Sequence, residues 1–186
     1  MPFFNNPYVH ESNFEGGTNA EWTSETDTES KLSIAHYTTL AQHGARLEVP
    51  FQGAYAALID LALGTADAYL QHDTAYDLAA DGTLHIRFYL FAKNLAMAAS
   101  DRFTIFALQA AGPTDEVVID VRNNAGVIEV LAAETNAAAT VRATPLIQDQ
   151  WHCCELSANI DAGAGNDGTI SFFVDGYQDG AQITAL

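Results

Sequence analysis

Residues 151–160, WHCCELSANI, and residues 169–176, TISFFVDG, flank the loop 161–168, DAGAGNDG. Gly, Asn and Asp dominate that loop because they accept left-handed backbone or bond their own main chain. The runs on either side are apolar and of strand length. The second closes on Asp175-Gly176, a dipeptide suited to a tight hairpin turn. The stretch is therefore expected to fold as two antiparallel strands, and it sets the fold class as all-β.

Working outward, the same punctuation recurs. Thr83 to Ala92 (TLHIRFYLFA) alternates cleanly: Leu84, Ile86, Phe88, Leu90 and Ala92 share one face, and His85, Arg87, Tyr89 and Phe91 share the other. Strands are also expected over Ser12–Glu15, Leu32–Tyr37, Ala45–Val49, Tyr55–Leu63, Ala68–Gln71 and Arg102–Gln109. Val117–Arg122 and Val127–Leu131 would pair across a turn at Asn123 to Gly126. Thr18 to Ser30 is polar and acidic and reads as a surface loop. Alanine-rich Ala96–Ala99 and Asn136–Ala139 are each too short to stand as helices, although the first could make one turn. Short strands at regular spacing indicate a sandwich rather than an α/β layout.

The pattern W-x-x-x-x-L followed by D-G-x-I-x-F-F-V-D-G resembles the hairpin of concanavalin A-like (laminin G-like) jelly-roll domains. Asn13-Phe14-Glu15-Gly16 is similar to their opening strand, His43 to Leu47 (HGARL) to the edge strand after the first loop, and DGTLHIRFYL to their long central strand. The resemblance implies a two-sheet antiparallel jelly-roll sandwich with an extended N-terminal arm. The expected organisation is an arm over residues 1–11 and one sandwich domain over residues 12–186. Domains of this group continue past the V-D-G turn with a strand that lies beside the first. Here only ten residues follow Gly176, which fits a shortened sandwich, a clipped sequence or a missing edge supplied by a neighbouring subunit; the first-strand edge is expected to be covered by another chain or by the arm.

Charge narrows the partners. Twenty-four acidic against seven basic residues give a formal net charge of −17, and Lys31 and Lys93 are the only lysines. Such a surface repels phosphate backbones and anionic lipid, so neither nucleic acid nor membrane is an expected partner. No run approaches the length of a membrane span. The opening MPFFNNPYVHE has no basic segment and no continuous apolar one, and reads as an arm rather than a secretory signal. The only cysteines, Cys153 and Cys154, are adjacent on a strand and point to opposite faces. Two free thiols are expected, one of them packed inward.

The residues that could carry chemistry form no catalytic pattern. Glu116 and Asp120 share a strand face but stand about 13 Å apart, too far for a retaining carboxylate pair, and are expected to be solvent-facing acids. Asp161, Asn166 and Asp167 lack the alternate spacing of a calcium loop and read as turn residues. The six histidines (10, 36, 43, 72, 85 and 152) have no zinc spacing, and His152 beside Cys153 on a strand would point away from it. The chain is read as a non-enzyme with no cofactor and no metal.

Aromatic residues are the remaining functional candidates. His85, Arg87, Tyr89 and Phe91 would face a glycan from one side of the central strand, with Trp22 and Tyr55 as a rim, while Phe3, Phe4 and Tyr8 would dock the arm. Two functions fit these features. The first is a structural or interaction protein of a larger assembly, such as a phage capsid decoration (cement) or virion surface protein. It would be made in the host cytoplasm, be homo-oligomeric and contact other virion proteins. The second is an extracellular lectin-like, carbohydrate-binding module.

Overall fold

The computed structural model describes residues 14–36, 55–60, 67–72, 83–93, 95–109, 115–134, 142–159, 169–178 and 183–184. These form thirteen strands and, among the described residues, no helix. The protein is an all-β sandwich whose sheets are all antiparallel. The chain divides into two compact units, Met1–Thr74 and Ala75–Leu186.

The first unit contains two small ribbons. β1 (Ser24–Asp27) pairs with β4 (Ala68–Gln71), and β2 (Leu32–His36) pairs with β3 (Tyr55–Ile59). β1 lies inside the stretch expected to be loop: acidic composition disguised a strand whose pairing is made with residues more than forty positions away. The β1–β2 connection is tied by Asp27, whose two carboxylate oxygens accept the backbone N–H groups of Lys31 at 2.8 Å and Leu32 at 2.9 Å. Phe14 to Gly17, expected to close a first strand, is instead a turn in which the Gly17 N–H donates to the Phe14 carbonyl.

The second unit is the sandwich proper. One sheet runs β12 (Tyr177–Gln178), β11 (Thr169–Val174), β10 (Trp151–Asn159), β5 (Thr83–Phe91), with β13 (Ile183–Thr184) also on β11. The other is a meander of β6 (Arg102–Gln109), β7 (Asp115–Asn124), β8 (Val127–Glu134) and β9 (Arg142–Pro145). β5 leads into the meander and β10 returns from it to lie beside β5, in a nine-pair register from Trp151 opposite Phe91 to Asn159 opposite Thr83. The decisive hairpin therefore forms as expected, and its partner is the best strand in the sequence.

Alternation fills the space between the sheets. Cys154, Leu156 and Ala158 of β10 and Ile170, Phe172 and Val174 of β11 meet Val117, Ile119 and Val121 of β7 and Ile128, Val130 and Ala132 of β8 in one buried cluster. Full burial of a side chain such as Phe172 or Leu156 contributes about 1.5–3 kcal/mol. Phe88 of β5 stacks on Phe106 of β6 with ring centroids 6.1 Å apart. A register shift between Thr104 and Phe106 lets Phe103, Ile105, Phe106 and Leu108 all pack against this cluster, which strict alternation would forbid. Residues 95–98, where one helical turn was conceivable, have no helical structure, and Leu95 and Met97 pack onto the core.

Two tight turns set the hairpins. Asp175 and Gly176 have φ of 53° and 81°, and Ala125 and Gly126 have 52° and 97°, the all-positive pattern of a type I′ turn. At the second turn the Asn123 side chain accepts the Gly126 N–H at 2.7 Å.

Candidate functional site

Because side chains alternate along β5 and its neighbours, one set of residues from the five-stranded sheet points away from the sandwich core. On β5 these are His85, Arg87, Tyr89 and Phe91, as expected. The register sets them opposite Ser157, Glu155, Cys153 and Trp151 of β10 in that order. The next rank on β11 is Ser171 opposite Ser157 and Phe173 opposite Glu155. The face thus has a polar end at His85, Ser157 and Ser171, an ion pair at its centre, and an aromatic end at Phe91 and Trp151.

The central pair is bidentate in donors: the Arg87 Nε and Nη2 both donate to Glu155 Oε1, at 2.8 and 2.5 Å. The hydrogen bond to Glu155 raises the pKa of the Arg87 guanidinium above its usual value. The Phe91 and Trp151 rings meet edge to face at 5.3 Å and 67°. Between these features Cys153 is half-buried and hydrogen-bonded to Tyr89. Burial pushes its thiol up, Glu155 adds to the rise, and Arg87 and Tyr89 oppose it. Its neighbour Cys154 is wholly inside, and desolvation pushes that thiol up to about 12. Both cysteines are free, one inward and one outward, as the strand alternation implied.

His152 is committed elsewhere. It is 2% exposed; its Nδ1 lies 2.7 Å from Asp175 Oδ2 and its Nε2 2.9 Å from the Ile147 carbonyl oxygen. The other Asp175 oxygen accepts the Cys153 N–H at 2.9 Å. Partial burial pushes the Asp175 carboxyl up, but the Cys153 N–H and the His152 ring outweigh this and hold it below the ordinary 3.8. His152 therefore clamps the loop before β10 to the turn after β11, and it points away from Cys153 as the alternation predicted.

The expectation for Asp120 is overturned: it is 0% exposed rather than solvent-facing. It sits on the outward side of β7 between Thr104 and Leu131, with Arg102 as its ion partner. Composition could not reveal this, because the outer side of this sheet is itself buried at Val118, Leu131 and Ala133.

Glu155, Trp151, Cys153 and Phe173 belong to the outward face although the sequence argument did not assign them to it. The alternation of WHCCELS was available, but only the β10–β5 register puts these side chains beside Arg87, Tyr89 and Phe91. Trp22 stacks on Phe14 at 6.4 Å in the first unit. Phe3, Phe4 and Tyr8, the loop acids Asp161 and Asp167 with Asn166, and the side chain of Tyr55 lie outside the described residues. Among the described residues no cluster of three His, Cys, Asp or Glu side chains could hold a metal. A polar cleft in the first unit, lined by Thr18, Asn19, Glu25 and Ser33, has its Asn19 amide already donated to Glu25.

No family model, no curated protein and no solved structure matches this chain.

Proposed function

We propose that this chain is a non-catalytic interaction protein of a larger assembly, a virion surface component such as a phage capsid decoration (cement) protein, built on a concanavalin A-like jelly roll. The observation that carries this reading is the outer side of the five-stranded sheet, where Arg87, Tyr89, Phe91 and Trp151 stand in register at the margin of a rigid sandwich. Aromatic rings supply large contact area at low entropic cost and arginine supplies orientation through its planar fork of donors, which is the composition of interface centres. The arm with Phe3, Phe4 and Tyr8 would add a second contact to a neighbouring subunit, and the site of action would be the virion surface after synthesis in the host cytoplasm. Light scattering of the full chain and of a variant lacking residues 1–11 tests this. A discrete oligomer that dissociates without the arm supports assembly; a monomer indifferent to arm removal counts against it.

A second reading, an extracellular lectin-like module, draws on the row formed by Tyr89, Phe91 and Trp151. A sugar ring can stack on such a row while Arg87 and His85 bind its hydroxyls. Glycan-array binding lost on Trp151→Ala would favour it, and a blank array would remove it.

A further inference from the structure

The sequence holds four Asp-Gly pairs, at 81–82, 167–168, 175–176 and 179–180. Such a pair is prone to isomerise. Glycine has no Cβ to shield its amide nitrogen and allows the backbone rotation that brings this nitrogen to the aspartate side chain. The nitrogen then attacks the side-chain carbonyl carbon: a new N–C bond forms, a C–O bond breaks, and water leaves. Water opens the resulting succinimide at either carbonyl. The product is aspartate again, or isoaspartate, in which the main chain runs through the former side chain. No reactant other than water enters.

Asp175-Gly176 is the pair whose surroundings the structure shows, the other three lying outside the described residues. It forms the whole of the two-residue turn between β11 and β12, closed by the pairing of Val174 with Tyr177. The turn faces solvent. The Asp175 side chain is 44% exposed, and a Cβ at Gly176 would meet no atom within 4 Å beyond its chain neighbours. Water and space are therefore available for the reaction, but the carboxylate is not. Its Oδ1 accepts the Cys153 N–H at 2.9 Å and its Oδ2 the His152 Nδ1–H at 2.7 Å, so both oxygens are held toward β10. The buried ring is fixed in turn at its other nitrogen by the Ile147 carbonyl. Attack by the Gly176 nitrogen requires the carboxyl to swing out of both bonds. It also requires a protonated carboxyl, because an ionised one is a poor electrophile. Partial burial pushes the Asp175 carboxyl up, but the Cys153 N–H and the His152 ring outweigh this and hold it below its ordinary value.

We propose that Asp175-Gly176 is a modification site, an isoaspartate-forming turn that the His152 ring and the Cys153 N–H hold closed in the folded chain. Conversion adds one carbon to the main chain of a turn that has only two residues. It also makes the Asp175 carboxyl part of the peptide link, so His152 and Cys153 lose the carboxylate they share. Trp151 and Cys153 of the outward face lie at the start of β10, where this clamp is attached. The altered turn therefore loosens the aromatic end of that face.

The test is prolonged incubation of the full chain near neutral pH, then proteolysis and mass spectrometry that separates aspartate from isoaspartate at Asp175. Wild type is compared folded and in urea, and with folded His152→Leu and His152→Asn, thermal melts confirming each fold. Leucine removes the donor to Asp175, whereas the asparagine amide nitrogen falls close to the position of Nδ1 and keeps it. Folded wild type is expected to isomerise about tenfold or more slowly than in urea, because hydrogen bonds to an ionised carboxylate must open first. His152→Leu should recover most of the urea rate and His152→Asn little of it. Folded wild type isomerising as fast as in urea overturns the proposal, and this comparison needs no variant to fold. A folded His152→Leu chain that isomerises as slowly as wild type overturns it too, since the turn backbone then gives the protection. Equal acceleration by both substitutions overturns the His152 hydrogen bond as the cause.

Discussion

The outer face of the five-stranded sheet and the outer face of the four-stranded sheet arise from the same alternation, yet they meet different environments. On the first, Arg87 is 62% exposed and its partner Glu155 30% exposed. On the second, Asp120 and Leu131 are 0% exposed and Val118 and Ala133 nearly so. The first face carries the pair Arg87–Glu155; the second carries Arg102–Asp120 and Arg122–Glu129, and Arg102–Asp120 is the buried counterpart of the first. Chemistry is thus held constant while burial changes, and burial decides what the pair does. An exposed pair gains little because water screens it and two long side chains must be ordered. A buried carboxylate that loses its cation is left uncompensated.

The sharpest way to break this comparison is Arg102→Met. Asp120 would remain in the interior with no countercharge, and one of its oxygens already has no hydrogen-bond partner. Stability by urea titration is expected to fall by about 3 kcal/mol. Asp120→Leu, similar in volume, should be near neutral or stabilising, because half-exposed Arg102 can be solvated while the apolar neighbours Val118 and Leu131 gain a like partner. If the two substitutions cost the same, burial does not govern the pair and the contrast between the faces fails.

A middle case lies at the end of the sandwich, where buried His152 meets half-exposed Asp175. Asp175→Asn keeps a residue that tolerates the positive φ of the turn but removes the charge, at an expected cost of about 1.5 kcal/mol. The pH dependence has a fixed sign. The folded carboxyl titrates below its unfolded value of 3.8, so its contribution is complete above that value and is lost as pH falls through the folded one. The gap between wild type and variant should therefore close below about pH 4. A gap that persists undiminished in acid would show that the turn, rather than the charge, was what the substitution damaged.

How far the sequence could be read follows the same division. β5, β10 and β11 were legible because one face of each is apolar at every second residue and their turns carry Gly, Asn and Asp. The outward set His85, Arg87, Tyr89 and Phe91 followed from that alternation alone. What β10 adds to the face required the register, which is a long-range fact: Glu155 meets Arg87 across sixty-eight positions. β1 was missed because SETD is polar on both sides and owes its extended form to pairing with β4. β9 was missed for a similar reason, being four residues ending in proline whose only ladder is with β8. Asp120 was misjudged because exposure of a face depends on what lies over it, and no local pattern records that.

The smallest expected effect is the one that bears most on function. Arg87→Met and Glu155→Gln, alone and together, form a double-mutant cycle on the exposed pair. Their coupling in urea unfolding, at a concentration low enough to hold the protein monomeric, should stay below about 1 kcal/mol. A low value means that the fold does not depend on the cation, which stands at the sheet margin at little cost to stability and is available to a partner. A coupling well above 2 kcal/mol would instead make Arg87 a structural tie like Arg102, and the two outer faces would differ in exposure without differing in role.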